Sequence, residues 1–333
     1  MFKEIFKYYK RKTPEPNLEN VLKIQDDDPR IFSKCEILVQ DCFDNEEAIE
    51  LGLKHISKWR IYELKQHSGL IIIVNPFTNL GQRYWIARSV ADYSDSPSVT
   101  NLQNHNDLCL LLNNKPFITN KLRWATMGYH HNWNTKVYSE EAKGPFPSDL
   151  SRLSKFIVKT ILNINFDPEA SIVNYYLMDS FLSGHTDCSE TNVTAPLVSF
   201  SFGQTAIFLI GGDTLNESPD AIFLESGDIV LMVGNSRFSY HGVPKIIRSR
   251  YEYWNDFTEN DANKNFIIKN ESLHNQNTNK HVEYIAYGGF ERVTMEKVAN
   301  TEYWRPFASY IKNARINLNI RQVFFPETDN VKS

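Results

Sequence analysis

Asn313-Ala314-Arg315-Ile316-Asn317-Leu318-Asn319-Ile320-Arg321 alternates polar and aliphatic residues, and two of the polar residues are arginines. Successive side chains of a strand point to opposite faces. Arg315, Asn317, Asn319 and Arg321 therefore share one face, and Ile316, Leu318 and Ile320 the other. Such a strand borders a core on its aliphatic side and either solvent or a polar pocket on its cationic side. The residues upstream decide between the two.

His185-Thr186-Asp187 sets an imidazole and a carboxylate two residues apart, so both turn to one side of extended chain. His241, in Ser239-Tyr240-His241-Gly242-Val243-Pro244, is a candidate third ligand. Two histidines and a carboxylate form the facial triad of non-haem Fe(II) oxygenases, which leaves coordination positions open for cosubstrate and dioxygen. Against this stands a plainer reading, because His-X-Asp arises by chance and the chain holds nine histidines. A dicarboxylate cosubstrate such as 2-oxoglutarate needs a cationic partner. The planar fork of Arg315 suits a carboxylate through two parallel hydrogen bonds. In Ile172-Val173-Asn174-Tyr175-Tyr176-Leu177, Asn174 and Tyr176 fall on one strand face, either completing that anion pocket or serving as a core tyrosine and an unrelated asparagine.

Taken in order, Asn174-X-Tyr176, His185-X-Asp187, His241 and Arg315-X-Asn317-X-X-X-Arg321 resemble the signature of the AlkB family of Fe(II)/2-oxoglutarate dioxygenases, particularly its homologue 1 branch. The similarity runs through Asn75-Pro76-Phe77, Lys121-Leu122-Arg123-Trp124, Gly128-Tyr129-His130, the stretch from His185 to Glu190, Ser199 to Gln204, and Ser226-Gly227-Asp228-Ile229. It thus covers most of residues 70 to 323. The resemblance implies that His185, Asp187 and His241 hold Fe(II). It also implies that Arg315 and Tyr176 bind the distal carboxylate of 2-oxoglutarate, with Asn174 and Asn317 near its other end, and that Arg321 sits close to metal and substrate. O2 is the second cosubstrate. The implied chemistry couples decarboxylation of 2-oxoglutarate to succinate with hydroxylation of a nucleobase methyl group, and the unstable hydroxymethyl leaves as formaldehyde. The protein supplies orientation and a dry pocket. The implied substrates are 1-methyladenosine in tRNA, 5-methylcytosine in tRNA and N6-methyladenine in DNA. The implied compartment is mitochondrion or nucleus, with cytoplasm also open.

At 333 residues, 41% hydrophobic and 13% aromatic, the chain is long enough for one large core or two modest ones. No stretch approaches a membrane span, and the longest aliphatic run, Leu70-Ile71-Ile72-Ile73-Val74, reads as a buried strand. Cys35, Cys42, Cys109 and Cys188 are scattered without a Cys-X-X-Cys pair, which argues against disulfides and zinc. Phe2, Ile5, Phe6 and Tyr9 lie at helical spacing, so the basic, aromatic stretch 1–12 reads as a helix packed on the domain rather than a targeting segment. Helices are expected over 43–66, from Gln82 to Tyr93 and around Asp107 to Leu112, with short strands from about 166 onward. The predicted fold is α+β: a double-stranded β-helix, or jelly roll, with supporting helices and a nucleotide-recognition lid. The expected division is an N-terminal helical extension at 1–69, lid and supporting helices at 70–165, and the dioxygenase core at 166–325. An Asn-rich polar insertion at about 250–282 interrupts that core and departs from the family's tighter spacing.

Residues 121–133 interleave cations with rings, as a lid that stacks an extruded base requires. The resemblance points to Tyr129, His130 and His131 for base contact, although His131 stands where close relatives often have Tyr. Trp124 and Trp133 read equally well as lid or core. A net charge of −4 and a pI near 6.2 argue against a large nucleic-acid footprint, yet they allow an enzyme that engages one nucleotide of tRNA or of unpaired DNA. A monomer is expected. Two other readings remain at this stage: a protein hydroxylase or demethylase built on the same iron core, and a catalytically silent RNA-binding protein.

Overall fold

The computed structural model describes residues 1–26, 32–34, 45–102, 121–255 and 293–326. Two antiparallel sheets face each other. The large one contains β1 (Phe32–Lys34), β2 (Arg60–Leu64), β3 (Leu70–Val74), β4 (Val99–Thr100), β5 (Trp124–Gly128), β6 (Ala170–Leu177), β8 (Leu197–Gly203), β11 (Ile229–Met232) and β13 (Ala314–Arg321). Their order is β1-β2-β3-β11-β8-β13-β6-β5-β4. The small sheet holds β7 (Leu182–His185), β9 (Thr205–Ile210), β10 (Asp220–Leu224) and β12 (His241–Ile247), in the order β10-β9-β12-β7. Chain excursions from one sheet to the other give the jelly-roll core, and helices cover the outer face of the large sheet.

That layering explains the aliphatic runs. Leu70, Ile72 and Val74 of β3 point between the sheets, where they meet Phe208, Ile210, Ile222 and Leu224. Ile73 points the other way into the helix layer, as do Ile316, Leu318 and Ile320 of β13. A strand covered on both faces reads as continuous apolar sequence. β13 is central, paired with β6 on one side and β8 on the other, with Arg315 opposite Tyr176 and Asn317 opposite Asn174. The helix layer comprises α3 (Asn79–Ala91), α4 (Ser148–Leu162) and α6 (Thr301–Ile311), which pack Trp85, Ile157, Trp304 and Phe307 against the sheet. The short helices α2 (Asn45–Glu50) and α5 (Met295–Ala299) border it, while α1 (Phe2–Lys10) lies on the outer face of the small sheet.

Two helix expectations change. The helix expected over 43–66 is only α2; a 3-10 turn at Ile56–Lys58 and the strand β2 follow it. Gly52, at φ +76, stops α2, because Leu53 N donates back to Ala48 O at 2.8 Å across a left-handed residue. The helix expected from Gln82 to Tyr93 begins at Asn79, where the Thr78 hydroxyl accepts from Gly81 N, and ends at Ala91. The helix expected around Asp107 to Leu112 lies outside the described residues, as does the insertion from 256 to 282. So do Cys35, Cys42 and Cys109.

The Ser226-Gly227-Asp228 turn between β10 and β11 meets Asn75-Pro76-Phe77 at the end of β3. Gly227 has φ +89, and a Cβ there would stand 2.0 Å from Asn75 Oδ1. Gly227→Ala should therefore destabilise the protein by about 1–3 kcal/mol through its backbone alone. A thermal melt should show this as a midpoint lower by several degrees, and an unchanged midpoint would contradict the account of this junction.

Candidate active site

The residues from Ser183 to Asp187 and from Ser239 to His241 converge where β7 pairs with β12, with His185 directly opposite His241. Their rings are 4.4 Å apart. His185 Nε2 lies 3.8 Å from Asp187 Oδ1, and His241 Nε2 lies 3.5 Å from Asp187 Oδ2. One ligand atom from each of the three side chains fits within 4.8 Å of the others. His185 Nδ1 is 2.9 Å from Ser183 O, and His241 Nδ1 is 3.1 Å from Ser239 O. A carbonyl only accepts, so each Nδ1 carries the proton and each Nε2 presents its lone pair to the shared centre. Burial, reinforced by the neighbouring His241, holds the His185 imidazole below its ordinary pKa, which favours the neutral ligand form. The set of two imidazoles and one carboxylate fits ferrous iron.

Asp187 is held by a buried charge cluster. Arg321 Nη2 is 2.8 Å from Asp187 Oδ1, and Arg321 Nε is 3.1 Å from Glu190 Oε1. Arg237 Nη2 donates to Glu190 Oε2 at 3.0 Å, and its Nη1 donates to the Asp187 carbonyl at 2.6 Å. Burial opposes the Asp187 charge, but Arg321 and the imidazoles overcome it and hold the carboxyl well below the usual carboxylate range. Arg321 in turn stays protonated despite burial, chiefly because of Asp187. Glu190 and Arg237 were not singled out as functional by the sequence. A Glu three residues after Asp187 was a visible signal for the first; nothing local marked the second.

On one side of the triad, a cavity between the sheets is lined by Tyr176, Ser199, Phe208, Arg315, Asn317 and Asn319 as well as both histidines. Arg315 is 2% exposed. Its Nη1 donates to Gln204 O and Leu224 O at 3.1 Å each, and its Nη2 to Ser201 Oγ at 2.7 Å. Its buried Nε has no partner among the described residues. Burial lowers the guanidinium to about 10, so it stays charged at neutral pH. A buried cation with a spare donor is the feature that the far carboxylate of 2-oxoglutarate requires. Asn317 Nδ2 donates to Ser199 Oγ and Phe200 O, at 2.8 and 3.1 Å. Asn174 is half-buried opposite Asn317 and is not among the residues lining the cavity.

Behind Arg315 runs a second polar network. Ser226 Oγ donates to Gln82 Oε1 at 2.6 Å, and Gln82 Nε2 donates to Asn75 Oδ1 at 2.9 Å. The Asp228 carboxylate accepts from Asn75 N at 3.1 Å and Glu225 N at 2.7 Å, while Ser201 N donates to the Asp228 carbonyl at 3.0 Å. The two motifs thereby fix Ser201, a partner of Arg315.

On the other side of the triad lies a series of rings. Trp124 contacts Trp133 at 5.2 Å, Trp133 contacts His131 at 4.9 Å, and His131 contacts Tyr138 at 5.1 Å. Arg321 Nη1 donates to the Tyr138 hydroxyl at 3.0 Å, so the series ends on the arginine that grips Asp187. Trp133 is 48% exposed and Trp124 half-buried, so neither is a core residue. His131 Nδ1 is buried without a partner among the described residues. Tyr129 is placed differently: its ring is buried against Phe324, and its hydroxyl bonds Glu140 and accepts from Lys143 Nζ at 2.8 Å. Tyr129 therefore stands apart from the ring series. His130 Nδ1 lies 2.9 Å from Thr126 Oγ1, and burial lowers its pKa.

The sequence pattern of the 2OG-Fe(II) oxygenase superfamily matches residues 69–321, which contain the triad, Arg315 and Arg321. Nucleic acid dioxygenase ALKBH1 of Homo sapiens is 34% identical over 97% of this chain and 83% of its own length. The chain belongs to the AlkB family of 2OG-Fe(II) oxygenases. A second AlkB-family relative, tRNA demethylase abh1 of Schizosaccharomyces pombe, is 45% identical over 38% of this chain and 43% of its own. DNA N(6)-methyladenine demethylase ALKBH1A of Arabidopsis thaliana is 34% identical over 61% and 49%. The AlkB-family protein is thus a dioxygenase dependent on Fe(II) and 2-oxoglutarate. His185, Asp187 and His241 would hold the metal.

Glu190→Ala would leave Arg237 and Arg321 buried without their shared anion, which should cost about 3–5 kcal/mol in denaturant melts. A loss below about 1 kcal/mol would show that the cluster does not carry this load. A second test concerns pH. Burial raises the Asp228 carboxyl to about 7, against an unfolded value of about 4. The folded chain then keeps a proton that the unfolded chain has released, so the stabilisation is full below about pH 4 and is lost as pH rises to about 7. Asp228→Asn removes this titration. The stability of the variant relative to the natural chain should rise across that window, and a constant difference would contradict the shift.

Proposed function

We propose that this protein oxidatively demethylates nucleic acid, with 1-methyladenosine in tRNA as its main substrate. 5-Methylcytosine in tRNA and N6-methyladenine in DNA are the further substrates within this reading. The observation that carries it is the ring series from Trp124 through Trp133 and His131 to Tyr138, which leads from the surface to Arg321 and Asp187. Extruded bases stack on aromatic faces, and each stacked base is worth about 1–3 kcal/mol. The names of the relatives support the same substrate class, and they differ in whether the target is tRNA or DNA.

Bound iron and 2-oxoglutarate supply the oxidation of the methyl group; this chain's residues supply orientation. Arg315 and Tyr176 anchor the far carboxylate of the cosubstrate, and Asn317 borders the same cavity. Arg321 neutralises Asp187 and ties it to Tyr138, coupling the lid to the metal side of the pocket. Phe208 and Leu197 give the cavity an apolar wall that restricts water.

Purified protein with Fe(II), ascorbate and 2-oxoglutarate should be offered methylated tRNA, methylated DNA and methylated histone peptides. Loss of 1-methyladenosine from tRNA with release of formaldehyde is expected. Turnover confined to peptides would replace this reading with a protein demethylase. Trp133→Ala should raise KM for nucleic acid about tenfold, in line with one lost stack, and leave KM for 2-oxoglutarate unchanged. Arg315→Ala should do the reverse, and excess 2-oxoglutarate should partly rescue it. Equal effects of the two substitutions on both constants would contradict the division of the site.

A further inference from the structure

Phe2 lies 183 positions before His185, and nothing in the sequence connects them. In the fold its ring is 1% exposed and sits in a slot on the outer face of the small sheet. Glycine backbone forms that slot. A Cβ at Gly184 would stand 2.6 Å from the Phe2 ring, and one at Gly211 would stand 3.0 Å from it. The Tyr240 ring closes the slot at a centroid distance of 6.5 Å.

Each of these three residues adjoins the metal site. Gly184 directly precedes His185, and strand alternation sends the two positions to opposite faces. His185 lines the inner cavity, so Phe2 presses on the same backbone from outside. Gly211 follows Ile210, which stands opposite His241, and Gly211 N donates to Tyr240 O at 2.8 Å. Tyr240 directly precedes His241. The pairing of β12 with β7 is also irregular, since its register shifts between His241 and Val243. A ladder broken next to a ligand does not by itself fix the spacing of the two imidazoles. An aromatic wedge bearing on both strands does.

We propose that Phe2 is a positioning residue for the metal ligands His185 and His241, which makes α1 part of the iron centre. Its role is mechanical: the ring fills the space that two side chains would otherwise occupy and sets the separation of the backbones that carry the imidazoles. The backbone of Phe2 is itself fixed, because Phe2 N donates to Leu215 O at 3.1 Å. The proposal rests on the metal centre and is independent of which nucleic acid is the substrate.

The test measures metal affinity on the full chain, by calorimetric titration with Mn(II) in the absence of nucleic acid. Phe2→Ala is compared with Tyr9→Ala, which removes another buried ring from α1 at the end away from the ligands. Both variants should melt at lower temperature. Phe2→Ala should raise the Mn(II) Kd roughly tenfold, the lower end of what loss of an outer support to a ligand costs. Tyr9→Ala should leave it within about twofold of the natural chain, whereas a merely structural helix would weaken both alike. Phe2→Leu, which refills most of the slot, should recover most of the affinity. Gly184→Ala should weaken Mn(II) when Phe2 is present and add little in the Phe2→Ala background, the non-additivity expected of groups in contact. An unchanged Kd in Phe2→Ala, or equal losses in Phe2→Ala and Tyr9→Ala, would overturn the proposal. Should Phe2→Ala fail to fold, Gly184→Ala decides it, because normal affinity in that variant would overturn the proposal equally.

Discussion

Asp187 is a carboxylate buried between two imidazoles, and it remains an anion because Arg321 lies 2.8 Å away. Removing that charge from water costs several kcal/mol unless paired, and the pair brings a second charge into the same interior. Glu190 and Arg237 complete the compensation, giving two cations and two anions that share contacts on one side of the metal site. The remaining architecture serves this cluster. β13 delivers Arg321 from the middle of the large sheet, the 3-10 turn before β12 delivers Arg237, and β12 itself delivers His241 from the small sheet. The two sheets must therefore close correctly for the anion to be neutralised.

The same strand serves two ends of the pocket. Arg321 lies six positions after Arg315, and both side chains leave the inner face of β13. One points into the cavity that suits a dicarboxylate; the other meets Asp187 and the Tyr138 hydroxyl. A strand rises about 3.3 Å per residue, so the two guanidinium anchors are spaced on the order of 20 Å along the sheet at their backbones. The triad lies between them. This spacing separates the cation that lines the cavity from the cation that pairs with Asp187, so neither has to serve both tasks.

Much of this was legible in the sequence because the relevant signal has a period of two. Arg315, Asn317 and Arg321 declare their shared face through the aliphatic residues between them, and Asn174 and Tyr176 do so in the same way. His241 carries no local pattern of its own; it is a candidate only as a third ligand for His185-X-Asp187, and its place in the family order strengthens that reading. The helix expected over 43–66 shows why spacing alone fails. Ile49, Leu53, Ile56 and Trp59 suit a helix, yet the left-handed turn at Gly52 ends it. α6 interrupts the region from about 166 onward in which short strands are expected: Asn300 caps it, and Trp304, Phe307 and Ile311 fall on one face. The Glu190–Arg237 pair and the Phe2 slot join residues far apart in the chain. No local pattern encodes such meetings, which arise only when the sheets close.

The account is tested most directly by an anaerobic crystal structure of the protein with Mn(II) and 2-oxoglutarate. It predicts one metal ion held by His185 Nε2, His241 Nε2 and a carboxylate oxygen of Asp187, whose other oxygen stays on Arg321, with the far carboxylate of the keto acid against Arg315. A metal ion bound elsewhere, or a keto acid lying away from Arg315, would contradict it.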